Sequence, residues 1–151
     1  LWAVLVGINA YSSSSPPLHG CVSDVEKMVL FLINDLGMSE DHIQRLLTTS
    51  SDTSIDLEEH RRIQHGDNII IYFSGHGASY RCSENYPAGD ISTEGTIEAL
   101  CPMDRTPSGT DISIPDISDR EINTILTEIS GTKGSHITFI LDCCYSSSST
   151  R

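Results

Sequence analysis

The sequence predicts an α/β fold with a mostly parallel central sheet flanked by helices, and three observations carry that expectation. Continuous apolar runs recur at Trp2–Ile8, Asn68–Ser74 and His136–Asp142, as strands buried on both faces of a parallel sheet require. Stretches of helical period lie between them. Each run then ends in a polar segment bearing Gly or Cys, the place where an open parallel sheet binds its ligands.

Taken in order, Trp2–Ile8 reads as the first strand and the Ser- and Pro-rich Asn9–Gly20 as a loop. Val22, Val25, Met28, Val29, Leu32 and Leu36 follow at helical spacing, with Asp24 and Glu26 early, where carboxylates favour the helix dipole, and Gly37 as a C-cap. His42–Leu47 reads as a short second strand, and the polar stretch Thr48–Asp67 holds at most one short helix. Asn68–Ser74 is the third strand, broken by Gly75-His76-Gly77. Ala78–Gly95 reads as a long loop and Thr96–Met103 as a short strand or hairpin. Ser118-Asp119-Arg120-Glu121 is a capping box, with Ile122, Ile125, Leu126 and Ile129 on one face behind it and Gly131 expected to end the helix. His136–Asp142 is the last strand. Strands alternating with helices imply parallel pairing through right-handed crossovers.

A length of 151 residues suits one compact domain, and 38% apolar residues suit a folded one. The net charge of −12 leaves no basic stripe to neutralise phosphates, which sets nucleic acid aside as a partner. The apolar runs are too short to span a bilayer, so no membrane role is expected. Five cysteines without a C-x-x-C pair argue against a zinc knuckle or a disulfide framework and point to a reducing compartment, the cytoplasm. Opening at Leu1 inside an apparent strand, the chain is expected to have lost upstream residues.

Chemistry is expected where the strands end. If the third and last strands are neighbours, His76 and Cys144 approach without contortion, since adjacent strands lie about 4.8 Å apart. A cysteine nucleophile works as its thiolate, and an imidazole beside it takes the thiol proton and later protonates the leaving amine. The tetrahedral intermediate needs backbone donors at its oxyanion, and the N–H groups of Gly77 and Cys144 are the natural ones. Singly, a strand-end histidine is more often structural and a strand-end cysteine more often packing. Their placement at two ends of one sheet is what makes them a candidate pair. Neither a G-x-G-x-x-G nor a P-loop follows the first strand, which sets nucleotide binding aside.

These residues resemble a known family. Ile71-Tyr72-Phe73-Ser74-Gly75-His76-Gly77 is similar to the histidine motif of caspases and metacaspases, and Leu141-Asp142-Cys143-Cys144-Tyr145-Ser146 resembles the metacaspase cysteine motif. Trp2–Asn9, Leu18–Asp24 and Glu98–Asp104 are similar too, in family order over nearly the whole chain. The resemblance implies a caspase-like three-layer sandwich and a cysteine endopeptidase with His76 and Cys144 as its dyad. It also decides between the adjacent thiols, which physics alone leaves open. Residues 1–151 would be the large-subunit half of the catalytic domain, without the small-subunit half that completes the pocket.

Caspases that cut after aspartate carry an arginine and a glutamine where this chain has Leu18 and Asp142. The acidic pocket of metacaspases maps instead onto Cys21, Asp24, Ser74 and Asp142, which implies a peptide or protein substrate with Arg or Lys before the scissile bond. Two departures stand out. Tyr145-Ser146-Ser147 replaces the usual His-Ser-Gly, and the segment between the second and third strands is short. Calcium dependence is common in the family, but Asp104 and Asp119 alone do not make an oxygen cage, and no metal site is assigned. A different class of function, a catalytically silent caspase-like interaction module, competes with the peptidase.

Overall fold

The computed structural model describes residues 1–11, 15–48, 62–81, 96–106 and 114–144. Four strands, β1 (Trp2–Gly7), β2 (Ile43–Leu47), β3 (Ile69–Ser74) and β7 (Ile137–Asp142), form one sheet in the order β2-β1-β3-β7, and every pairing is parallel. The third and last apolar runs of the sequence are therefore neighbours. Their register sets Ile69 against Ile137 and ends with Ser74 against Asp142.

Helix α1 (Cys21–Asn34) lies on one face. It buries Val25, Val29 and Leu32 against Ala3, Leu5, Ile43 and Tyr72, with Ile70 and Ile140 packed alongside. Helix α2 (Asp119–Lys133) covers the other face, where Ile122 and Leu126 meet Val6, Phe73, Phe139 and Leu141. Two helices on opposite faces of one sheet make three layers. Alternation along the strands assigns the faces: Tyr72 points to α1, and Phe73 points to α2.

The helix ends refine the expectations. Cys21 is buried in the first turn of α1, whereas Leu36 lies beyond the helix and is half exposed. Gly37 takes a positive φ of 66° as the chain turns, and the Met38 N–H donates to the Leu32 carbonyl. The Ser118–Glu121 capping box forms with both of its reciprocal hydrogen bonds. Gly131, however, does not end α2. The helix continues to Lys133, and Gly134, with a φ of 97°, terminates it. Only there must the chain reverse to enter β7, and a left-handed residue is what that reversal needs.

A second sheet corrects the expectation of a loop after His76. Gly77–Arg81 is a strand, β4, paired antiparallel with β5 (Thr96–Leu100), which in turn pairs with the two-residue β6 (Ile117–Ser118). The rest of that predicted loop, the core of the polar stretch between β2 and β3, and Tyr145–Ser149 lie outside the described residues. Among the described residues no helix is long and apolar enough to cross a membrane.

Leu32 is fully buried between α1 and the sheet. Leu32→Ala should lower the unfolding free energy by about 2–5 kcal/mol, the usual cost of such a cavity, as read from urea denaturation.

Candidate active site

Both candidate catalytic residues follow the β3–β7 pair. His76 stands two residues beyond Ser74 and Cys144 two residues beyond Asp142, and Ser74 and Asp142 are register partners. The two segments meet. A Cβ placed on Gly77 would fall 2.0 Å from the Cys144 carbonyl oxygen and 3.4 Å from Cys143 Sγ. Only glycine allows the backbone after His76 to lie that close to the cysteine pair.

His76 is held at three points. Its backbone N–H donates to the Tyr11 hydroxyl at 2.6 Å, its carbonyl accepts from the Cys101 N–H at 3.0 Å, and its ring Nε2 lies 2.8 Å from the Pro16 carbonyl. A carbonyl oxygen only accepts, so this contact assigns the hydrogen of the neutral ring to Nε2 and leaves Nδ1 with its lone pair. That is the form a general base requires. The Tyr11 ring packs on the imidazole at 4.8 Å between centroids, tilted by 46°.

The two adjacent thiols differ in setting. Cys144 is exposed, while Cys143 is half-buried among Phe73, Leu100 and Ile122. Burial, followed by the charges of Cys144, Asp142 and Glu98, pushes the Cys143 thiol up to about 11. Cys143 therefore resists forming the thiolate on which nucleophilicity depends.

The four predicted pocket residues lie on the α1 side of the sheet. Ser74 is buried and donates to Asp142 Oδ2 at 3.4 Å. Cys21 is buried in the first turn of α1. Asp24 lies one turn further, half-exposed, with Lys27 Nζ 2.9 Å from its Oδ1. Asp142 is exposed, and Asp24 is engaged by a surface lysine.

Sequence reasoning passed over Tyr72, which reads as one more apolar residue of a buried strand. Its hydroxyl donates to Asp142 Oδ2 at 3.0 Å. Burial, helped by that hydrogen bond and by the charges of Asp142 and Asp24, raises Tyr72 to about 12.

A polar cluster behind the histidine was likewise not foreseen. The Asp116 carboxylate, 3% exposed, takes Arg105 at 3.0 Å and accepts from the Tyr80 hydroxyl, while the fully buried Cys101 Sγ lies 3.1 Å from Arg105 and 3.6 Å from Asp116. Cys101 is the residue whose N–H holds the His76 carbonyl. The cluster braces the histidine from below. Sequence alone gives it no signal, since its members come from three separate segments.

Calcium finds no cage among the described residues. Asp104 is exposed on a turn, Asp119 Oδ1 accepts the Arg120 N–H at 2.8 Å, and no group of three or more His, Cys, Asp or Glu side chains converges. The described residues do not assemble the several oxygen ligands that calcium needs.

Burial raises Tyr11, Tyr72 and Tyr80 to about 12 and Cys101 and Cys143 to about 11. Each binds its proton more tightly folded than unfolded. Their contribution to stability is full below the unfolded thiol value of 9.0 and is lost as pH climbs through about 11 to about 12. Urea midpoints measured from pH 8 to 11 should fall steadily above pH 9. Iodoacetamide at pH 8 should label Cys144 well before Cys143 or Cys101, as peptide mass mapping would report.

The sequence and the fold find their counterparts among known proteins. The family description "Metacaspase, peptidase C14 domain" matches residues 2–150. Metacaspase-3 of Arabidopsis thaliana is 31% identical over 95% of this chain and 39% of its own length. Metacaspase-1 of Eremothecium gossypii is 29% identical over 97% of this chain and 32% of its own. The chain thus spans 32% to 39% of the length of these two relatives. A solved Geobacter sulfurreducens protein shares the fold, with a TM-score of 0.57 at 18% identity over 96% of this chain and 50% of that one. Matched from its first strand to its cysteine pair and beyond, the chain belongs to the metacaspase family.

Proposed function

We propose that this chain carries the catalytic residues of a cysteine endopeptidase that cuts after Arg or Lys, with Cys144 as nucleophile and His76 as base. The observation that carries the reading is the meeting of Gly77 with Cys144, beside a histidine whose Nε2 is tied to a carbonyl. In this reading His76 Nδ1 takes the Cys144 proton, and the thiolate attacks the substrate carbonyl carbon. The oxyanion that forms is met by the N–H groups of Gly77 and Cys144. Collapse breaks the C–N bond as His76 protonates the leaving amine, giving a thioester. Water, deprotonated by His76, then attacks the thioester and frees the carboxylate product and the thiol.

Specificity follows from charge. Asp142, oriented by Tyr72 and Ser74, offers its carboxylate to a cationic side chain, with Asp24 and Cys21 lining the same side. An aspartate before the scissile bond meets like charge there. The pocket is completed, in this reading, by the small-subunit half. The outer edge of β7 pairs with no described strand and none of its residues is buried, although Ile137, Phe139, Ile140 and Leu141 are apolar. A further strand laid there would bury them. The four described cysteines are free, which suits a reducing cytoplasm.

With the full-length protein, fluorogenic peptides ending in Arg or Lys should be cleaved and the Asp peptide should not. Cys144→Ala should lower kcat/KM by about 10³-fold or more, and Cys143→Ala should change it by less than about threefold. Asp142→Asn should cost about 10- to 100-fold on the Arg peptide, the worth of a charge-assisted hydrogen bond. Activity surviving in Cys144→Ala, or absent from the full-length protein with and without calcium, would sink the reading and favour the silent module.

A further inference from the structure

We infer that Tyr11 is a positioning residue for His76, fixing its imidazole and the peptide that follows it. The inference rests on the reading of His76 as the base. Three contacts made by one side chain support it. The hydroxyl accepts the His76 backbone N–H at 2.6 Å, in the residue immediately before Gly77. The ring lies against the imidazole at 4.8 Å between centroids. The hydroxyl also occupies the space over Gly75, where an added Cβ would come within 2.9 Å of it. Gly75 and Tyr11 therefore fit as a pair, and the tyrosine reaches the histidine because position 75 carries no side chain.

Pro16 supplies the carbonyl that meets Nε2, so the imidazole is contacted by the Tyr11 ring and, separately, at Nε2. A ring so held keeps Nδ1 aimed in one direction. Misplacement of a catalytic group by an ångström costs about 10²-fold in rate. When the base takes a proton, the aromatic ring packed beside it, with centroids 4.8 Å apart, also favours the resulting imidazolium. Burial, opposed by the hydrogen bond from His76, raises the Tyr11 hydroxyl to about 12, so it stays neutral throughout the working range.

The test uses the full-length chain with Tyr11→Phe and Tyr11→Ala. Tyr11→Phe keeps the ring and loses the acceptor, and kcat should fall about fivefold. Tyr11→Ala loses both, and kcat should fall about 10²-fold with KM changed by less than about threefold. In a ¹³C-histidine-labelled Cys144→Ala background, the His76 ring signals should move in Tyr11→Ala and its titration midpoint should shift downward. The acid limb of the kcat/KM profile should follow that shift in the active protein. Ring signals and titration unchanged in both variants would overturn the inference, even if melting temperatures fell. Should Tyr11→Ala fail to fold, Tyr11→Phe decides by the same readouts. If His76→Ala kept full activity while Tyr11→Ala still moved the His76 signals, the positioning would stand and the assignment of the base would fall.

Discussion

The pairing of β3 with β7 is the constraint on which the site depends. Parallel strands advance together, so a register that ends with Ser74 opposite Asp142 carries forward into the segments that follow. His76 and Cys144, each two residues further on, arrive at the same edge of the sheet from positions far apart in the chain. The pleat adds a second condition. Tyr72, Ser74, Ile140 and Asp142 alternate onto the α1 face, while Phe73, Phe139 and Leu141 face α2. A slip of one residue would turn Asp142 away from Tyr72 and Ser74 and set an apolar side chain in its place.

Around that register the molecule spends its polar contacts on the histidine. The Tyr11 hydroxyl, the Pro16 carbonyl and the Cys101 N–H each satisfy a different group of His76, and Cys101 is itself held by the Arg105–Asp116–Tyr80 cluster. Buried ion pairs of this kind contribute little net stability, because desolvation offsets their attraction. Their usefulness here is geometric. They leave the strand pair β4–β5 one arrangement in which to carry the residue after His76.

The sheet was legible because buried strands write themselves as apolar runs, and three of its four members lie in such runs. The capping box of α2 was legible for a similarly local reason, since both its partners lie within one turn. Strand β4 was not. Gly77-Ala78-Ser79-Tyr80-Arg81 is short and poor in bulky apolar residues, and its partner β5 lies beyond a long intervening segment. Gly131 and Gly134 are equivalent to a reader of the sequence, and the choice between them is made by where β7 must begin. His76, Cys144 and the candidate pocket residues were named from motifs. Tyr11, Pro16, Tyr72 and the Arg105–Asp116 pair were passed over because their partners lie far off in sequence and their types are ordinary for a loop or a core strand. Adjacent thiols that read alike in the sequence are separated by burial, which no local pattern encodes.

The outer edge of β7, which no described strand pairs, has a colloidal consequence for the chain. Unpaired amides and carbonyls along an apolar edge strand offer a template on which a second copy can extend the sheet. What opposes this is the net charge of −12 carried by every copy. Such repulsion reaches only about 10 Å at 0.1 M salt and shortens as ions are added. Its protection against edge-to-edge sticking therefore weakens with ionic strength, while the template itself is left untouched.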